Sequence, residues 1–148
     1  MKKCLLLWLA FVLAASNVQA QKAVDSMRVF YRRGFHDVDP SFRDNRARLD
    51  RFLNSVDRAL KENRVGKIVI RSYASPDGTA KANERLSERR AEELKAYLVR
   101  EGNVPAALVE HHAEGIAWGM LREQVAASDV SYRSEVLDIL DRTPVWIY

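Results

Sequence analysis

The sequence predicts an α/β (α+β) chain, a mixed sheet packed against helices, in the order β-α-β-α-β followed by two short helices and a last strand. Three observations carry this. Short β-branched runs, MRVFY at 27–31 and KIVIRSY at 67–73, alternate with long charged segments. In the first such segment Leu49, Phe52, Leu53, Val56 and Leu60 recur at helical spacing. A Pro-Asp-Gly turn at 76–78 then passes the second run straight into another amphipathic stretch.

The elements follow in order. Lys2 and Lys3, the apolar run from Cys4 to Ala15, and the small residues Val18 and Ala20 form an export signal at 1–20, cleaved after Ala20. The run is too short to span a bilayer, which takes roughly 20 apolar residues. Residues 21–26 read as a flexible mature N-terminus, and 27–148 as one domain with no linker inside it. Met27–Tyr31 is the first strand. Pro40 and Ser41 announce the first helix, which ends near Asn63 and Gly66. Ile68, Val69 and Ile70 in a row imply a second strand buried on both faces. Thr79–Arg100 is the second helix, closed by Gly102 and Pro105. Ala107–Ala113 is a third strand, Trp118–Ala127 and Tyr132–Asp141 are helices, and Pro144–Tyr148 is a final strand in which the chain stops, raising the expectation of a shortened C-terminus.

Composition narrows the function. The 24 Lys and Arg against 20 Asp and Glu give +4, and losing Lys2 and Lys3 leaves +2. Neither that charge nor any basic stripe interleaved with aromatics points to nucleic acid. The one cysteine, Cys4, lies in the signal, so the mature core is expected to hold without disulfides in an oxidising compartment. Adjacent His111 and His112 face opposite ways on a strand and no cysteine or third histidine sits at ligand spacing, so the histidines give no metal site. There is no nucleophile elbow or other catalytic motif, hence no enzyme and no cofactor is expected. Trp118 and Trp146 read as core aromatics.

The second helix holds the unusual residues. At 100° per residue from Leu86, the apolar arc runs through Tyr97, Leu94, Leu98 and Ala91, from about 20° to about 140°. Arg90 at about 40° and Asn83 at about 60° fall inside it, whereas Glu84, Glu88 and Lys95 lie opposite. A buried arginine is costly unless paired. Two readings stay open: a core ion pair with an acid on another element, or a fork held ready for a ligand carboxylate. Asn83 lies near the Ser75-Pro76-Asp77-Gly78 loop, whose amides at a helix N-terminus suit an anion.

These residues carry a family resemblance. The strand KIVIR, the loop glycine Gly78, and Asn83, Leu86, Ser87, Arg90 and Ala91 at their spacing resemble the motif of the OmpA-like C-terminal, peptidoglycan-binding domain over about Met27 to Glu114. The resemblance implies an OmpA-like β-α-β-α-β sandwich in the periplasm, associated with the outer membrane, that grips the diaminopimelate stem peptide of peptidoglycan without covalent chemistry. By resemblance Arg90 clamps a ligand carboxylate and Asn83 supports the loop. The chain departs from the family at Ser75, where the family has an aspartate, and its A-S-P-D-G turn resembles a variant found in Bacteroidota. Asp77, two residues on, either substitutes as the ammonium partner or only shapes the turn. The segment after Glu114 also lacks the family's usual ending.

Two functional expectations result. One is a binding module using Arg90, Asn83, Ser75, Asp77 and Gly78, for which Arg90→Ala abolishes binding and spares the fold. The other is a structural or assembly subunit of a surface complex, its groove degenerate through Ser75 and Arg90 serving the core.

Overall fold

The structure, a computed structural model, describes residues 25–142. The expected signal at 1–20 and the expected last strand at 144–148 lie outside these. The elements are α1 (Asn45–Lys61), β1 (Ile68–Ala74), α2 (Ala80–Gly102), a short 3-10 turn (Ala106–Leu108), β2 (Val109–Ile116), α3 (Trp118–Ala126) and α4 (Arg133–Arg142). The mixed α and β class stands, with a two-stranded sheet among the described residues, β1 parallel to β2.

A parallel pair needs a crossover, and α2 supplies it. It lies against both strands and buries Asn83, Ser87, Arg90, Ala91 and Leu98. The apolar core beneath it joins Phe52 and Val56 of α1, Ile70 of β1, Ala91 and Leu98 of α2, Val104 and Val109. Leu98 and Val104 are about 1% exposed, and burying such a side chain fully stabilises the fold by roughly 1.5–3 kcal/mol. Gly102 sits where the two long helices approach, since a Cβ there meets Leu53 Cδ2 at 2.5 Å. The left-handed cap of α2 is Asn103 at φ 49°, not the glycine expected from the sequence.

The sheet ends in a bulge. Ser72 pairs with Ala113 and Ala74 with Ile116, so β2 carries one residue more than β1 across that interval. Gly115 takes φ 63° there, and its N–H donates to Ser87 Oγ at 3.3 Å, fastening β2 to α2. Beyond it α3 and α4 pack on each other, joined by a two-pronged pair from Arg122 to Asp141 at 2.7 and 2.9 Å.

Several expectations are corrected. Met27–Tyr31 is not a strand. Its backbone is engaged by a side chain: the Phe30 N–H donates to Asn45 Oδ1 at 2.8 Å and Asn45 Nδ2 donates to the Phe30 carbonyl at 2.7 Å and the Asp39 carbonyl at 2.9 Å. The amide imitates a neighbouring strand for one residue, and Asn45 is fully buried in doing so. The first helix begins at Asn45 because residues 40–44 form turns, Ser41 being tied to Asp39 through its N–H and hydroxyl. β1 is covered on one side only among the described residues, with Val69 47% exposed. β2 starts two residues later than expected, after the turn that follows Pro105. Asn45→Ala is expected to cost about 2–3 kcal/mol, since it leaves the Phe30 and Asp39 backbone groups without partners; urea unfolding measures it, and a loss below about 0.5 kcal/mol removes the assigned role.

Candidate functional site

α2 begins at a built turn. Thr79 caps it, Oγ1 accepting from the Ala82 N–H at 3.2 Å, and Gly78 takes φ 87°, a conformation that side chains with a Cβ rarely adopt. Asn83, 3% exposed, donates from Nδ2 to the Asp77 carbonyl at 3.0 Å and so holds the loop against the helix. Ser75, Asp77 and Gly78 are exposed. The Asp77 carboxylate lies 3.5 Å from Arg33 Nε, linking this loop to the one at 32–39.

Two turns along, Arg90 is 8% exposed and makes no ion pair with an acid among the described residues. Its partners are backbone carbonyls. Nε donates to the Phe35 carbonyl at 2.9 Å, Nη1 to the Tyr73 carbonyl at 2.9 Å and Nη2 to the Arg32 carbonyl at 3.3 Å. The guanidinium also stacks 4.8 Å from the centre of the Tyr31 ring, whose hydroxyl donates to the Arg90 carbonyl at 3.2 Å. The core reading expected an acid on another element, and the partners are carbonyls instead. Arg90 is a cation that binds three separated pieces of chain: the 32–35 turn, the end of β1 and the 27–31 segment.

The electrostatics match that packing. Burial lowers the Arg90 pKa, with Tyr31 opposing the shift. Burial also raises Tyr31 to about 12, opposed by the charge of Arg90, so the phenol stays protonated at neutral pH. At the surface the Asp39 carboxyl is held below the usual range, first by the Ser41 hydroxyl, then by the Ser41 N–H and Arg32 Nε.

A cleft of about 310 Å³ opens in the loop that Arg90 holds, lined by Arg32, Phe35, Asp37 and Asp39. The turn Arg32–Phe35 is closed by the Phe35 N–H donating to the Arg32 carbonyl at 3.1 Å, with Gly34 at φ 77°. Both carbonyls that meet Arg90 from this side belong to that turn. Asp37, Asp39, Tyr31 and Asn45 were absent from the sequence reading of the site. For Asn45 a signal existed: it stands four residues before Leu49 on the apolar stripe of α1, as polar and as misplaced as Asn83 and Arg90 on theirs.

His111 and His112 do separate, His111 towards Glu88 of α2 and His112 towards Glu110, 2.6 Å away. Trp118 is half-buried at the start of α3.

A strand–helix–strand unit with a capped loop, a buried cation and a small cleft beside it makes an α/β domain. Matching over residues 41–132, well over half of its length, the chain belongs to the OmpA family. Domains of this family are associated with the cell envelope, generally bind peptidoglycan and are typically without enzymatic activity. No curated protein matches the chain. Among the described residues no helix is long and apolar enough to cross a membrane.

Proposed function

We propose that this is an exported, periplasmic protein of the outer-membrane envelope that binds the diaminopimelate stem peptide of peptidoglycan non-covalently and so anchors or spaces the two layers. One observation supports it above the others. Of the five N–H donors of a guanidinium, Arg90 spends three on carbonyls, and no carboxylate among the described residues lies within ion-pair distance of its charge. A buried cation without a counter-ion is unfavourable, and a ligand carboxylate meeting the two remaining N–H groups supplies one. Asn83 holds the loop in place, the 75–78 turn offers backbone amides at the start of α2, and the exposed Asp77 carboxylate is the partner for the ligand ammonium. Asp37, on the cleft, is a second carboxylate within the same loop system.

The test is co-sedimentation of the mature chain with diaminopimelate-type sacculi, wild type beside Asp77→Asn. Asp77 and Arg33 are both exposed, so the variant is expected to lose less than about 1 kcal/mol of stability. Its affinity is expected to fall about tenfold or more, as the loss of one charge-assisted bond implies. Absence of wild-type binding sinks the proposal. An unchanged affinity removes Asp77 from the site and transfers the ammonium to Asp37.

A second reading is favoured by Ser75. Without a carboxylate at that position and with most of the Arg90 donors spent on the fold, the groove serves no ligand and the domain is a subunit of an envelope or surface assembly, held by outer-membrane or surface-assembly proteins. Failure of the sacculi to retain a fully folded wild-type chain is the outcome that selects it.

A further inference from the structure

A separate constellation lies on the side of α2 where it crosses β2. Glu88 and Glu92, one helical turn apart, converge with His111 of β2, and one ligand atom from each falls within 4.8 Å of the others. His111 Nε2 is 3.6 Å from Glu88 Oε1. Two like charges at this helical spacing repel each other, and neither carboxylate pairs with a lysine or arginine among the described residues. Other surface carboxylates divide between paired ones, such as Asp57 with Lys61, Glu114 with Arg71 and Asp141 with Arg122, and unpaired ones; what sets Glu88 and Glu92 apart is the imidazole they meet. Arg85, Arg89 and Lys95, each three residues from one of the glutamates on the same helix, form no ion pair with either among the described residues, and Lys67, which lines a cavity with Lys95 and His111, is held by Glu110.

We infer that Glu88, Glu92 and His111 form a surface site for a divalent transition-metal ion of the zinc type, bridging α2 to β2. Tetrahedral zinc at about 2.0–2.1 Å from its ligands sets those ligands about 3.4 Å apart; His111 and Glu88 stand at 3.6 Å, and with Glu92 included the three ligand atoms lie within 4.8 Å, so the carboxylates must draw in to bind the ion. The imidazole comes from a strand and is partly buried, and the two glutamates are exposed on the helix that crosses it. One imidazole with two carboxylates suits zinc and its neighbours, whereas calcium and magnesium prefer oxygen alone. The fourth position is left to water, as in sites that three protein ligands build. A histidine and cysteine search of the sequence passes over this group because two of its three members are glutamates on another element.

The site is independent of the peptidoglycan reading. The experiment is calorimetric titration of the untagged full chain with zinc chloride, with melting curves with and without the ion, and calcium and magnesium as comparison ions. One zinc per chain, a raised melting temperature and no response to calcium or magnesium are expected. His111→Gln and the double variant Glu88→Gln/Glu92→Gln are each expected to weaken zinc binding at least tenfold, and His112→Gln to leave it unchanged. The double variant alters exposed side chains only, so it remains informative if the histidine variant folds poorly. Cobalt(II) in place of zinc is expected to give the absorption of a tetrahedral site. Zinc binding that survives either variant, that disappears with His112→Gln, or that is absent from the wild type overturns the assignment.

Discussion

Arg90→Ala is expected to lower the stability of the folded chain by about 3–5 kcal/mol, since each hydrogen bond from a charged donor contributes roughly 1.5–3 kcal/mol and three are lost together. Three carbonyls, of Arg32, Phe35 and Tyr73, lose their charged donor at once, and Tyr31 loses the face it stacks on. For a domain of this size the midpoint of thermal unfolding falls by on the order of 10–20 °C. Arg90→Lys is expected to recover little of it, because a single ammonium cannot reach three acceptors set out around a planar fork. The measurement is a melting curve of each variant, and a shift below a few degrees for the alanine variant contradicts the role assigned to the guanidinium. Sequence reasoning left two outcomes open for the alanine variant: lost ligand with the fold kept, or, if Arg90 serves the core, a large loss of stability. The three carbonyl partners favour the second outcome, so this variant alone does not separate lost binding from lost folding.

Ser75→Asp is expected to do the opposite: to leave stability unchanged and to tighten binding to diaminopimelate peptide about ten- to a hundredfold. Ser75 is exposed, so the added carboxylate is not buried. A charge-assisted hydrogen bond to the ligand ammonium is worth roughly 1.5–3 kcal/mol, and that is the gain expected where the family carries its aspartate. Calorimetry with a diaminopimelate stem peptide reads it, with a lysine-type peptide alongside to show that the second charged end matters. No gain in affinity over a wild type that does not bind points to a groove degenerate beyond this one position.

Much of this was legible in the sequence because helices declare themselves by period. The stripe of α1, the apolar arc of α2, and Asn83 and Arg90 inside it all follow from 3.6 residues per turn. What periodicity cannot supply is the partner of a misplaced polar group. It placed Arg90 towards the interior, yet the partners are carbonyls of residues 32, 35 and 73, and a backbone oxygen has no letter in a sequence. The 27–31 segment failed for a related reason. Its composition is that of a strand, but strand formation depends on what lies beside it, and what lies beside Phe30 is the Asn45 amide. Val69 shows the same limit, since three apolar residues in a row do not reveal which face will be covered. Glu88, Glu92 and His111 are brought together only by the crossing of α2 over β2, which no local pattern encodes.

The way Arg90 is held bears on how relatives of this chain are to be judged. Arg90 ties the 32–35 turn, the end of β1 and the ring of Tyr31 together, so a domain without a ligand would still have a use for it in folding. The presence of this arginine alone therefore does not distinguish a domain that binds from one that only folds. Evidence of a living site has to be sought at positions the fold can spare. In this chain those are Ser75, Asp77 and Asp37, whose exposed side chains can drift at little cost to folding once there is no ligand to hold them in place.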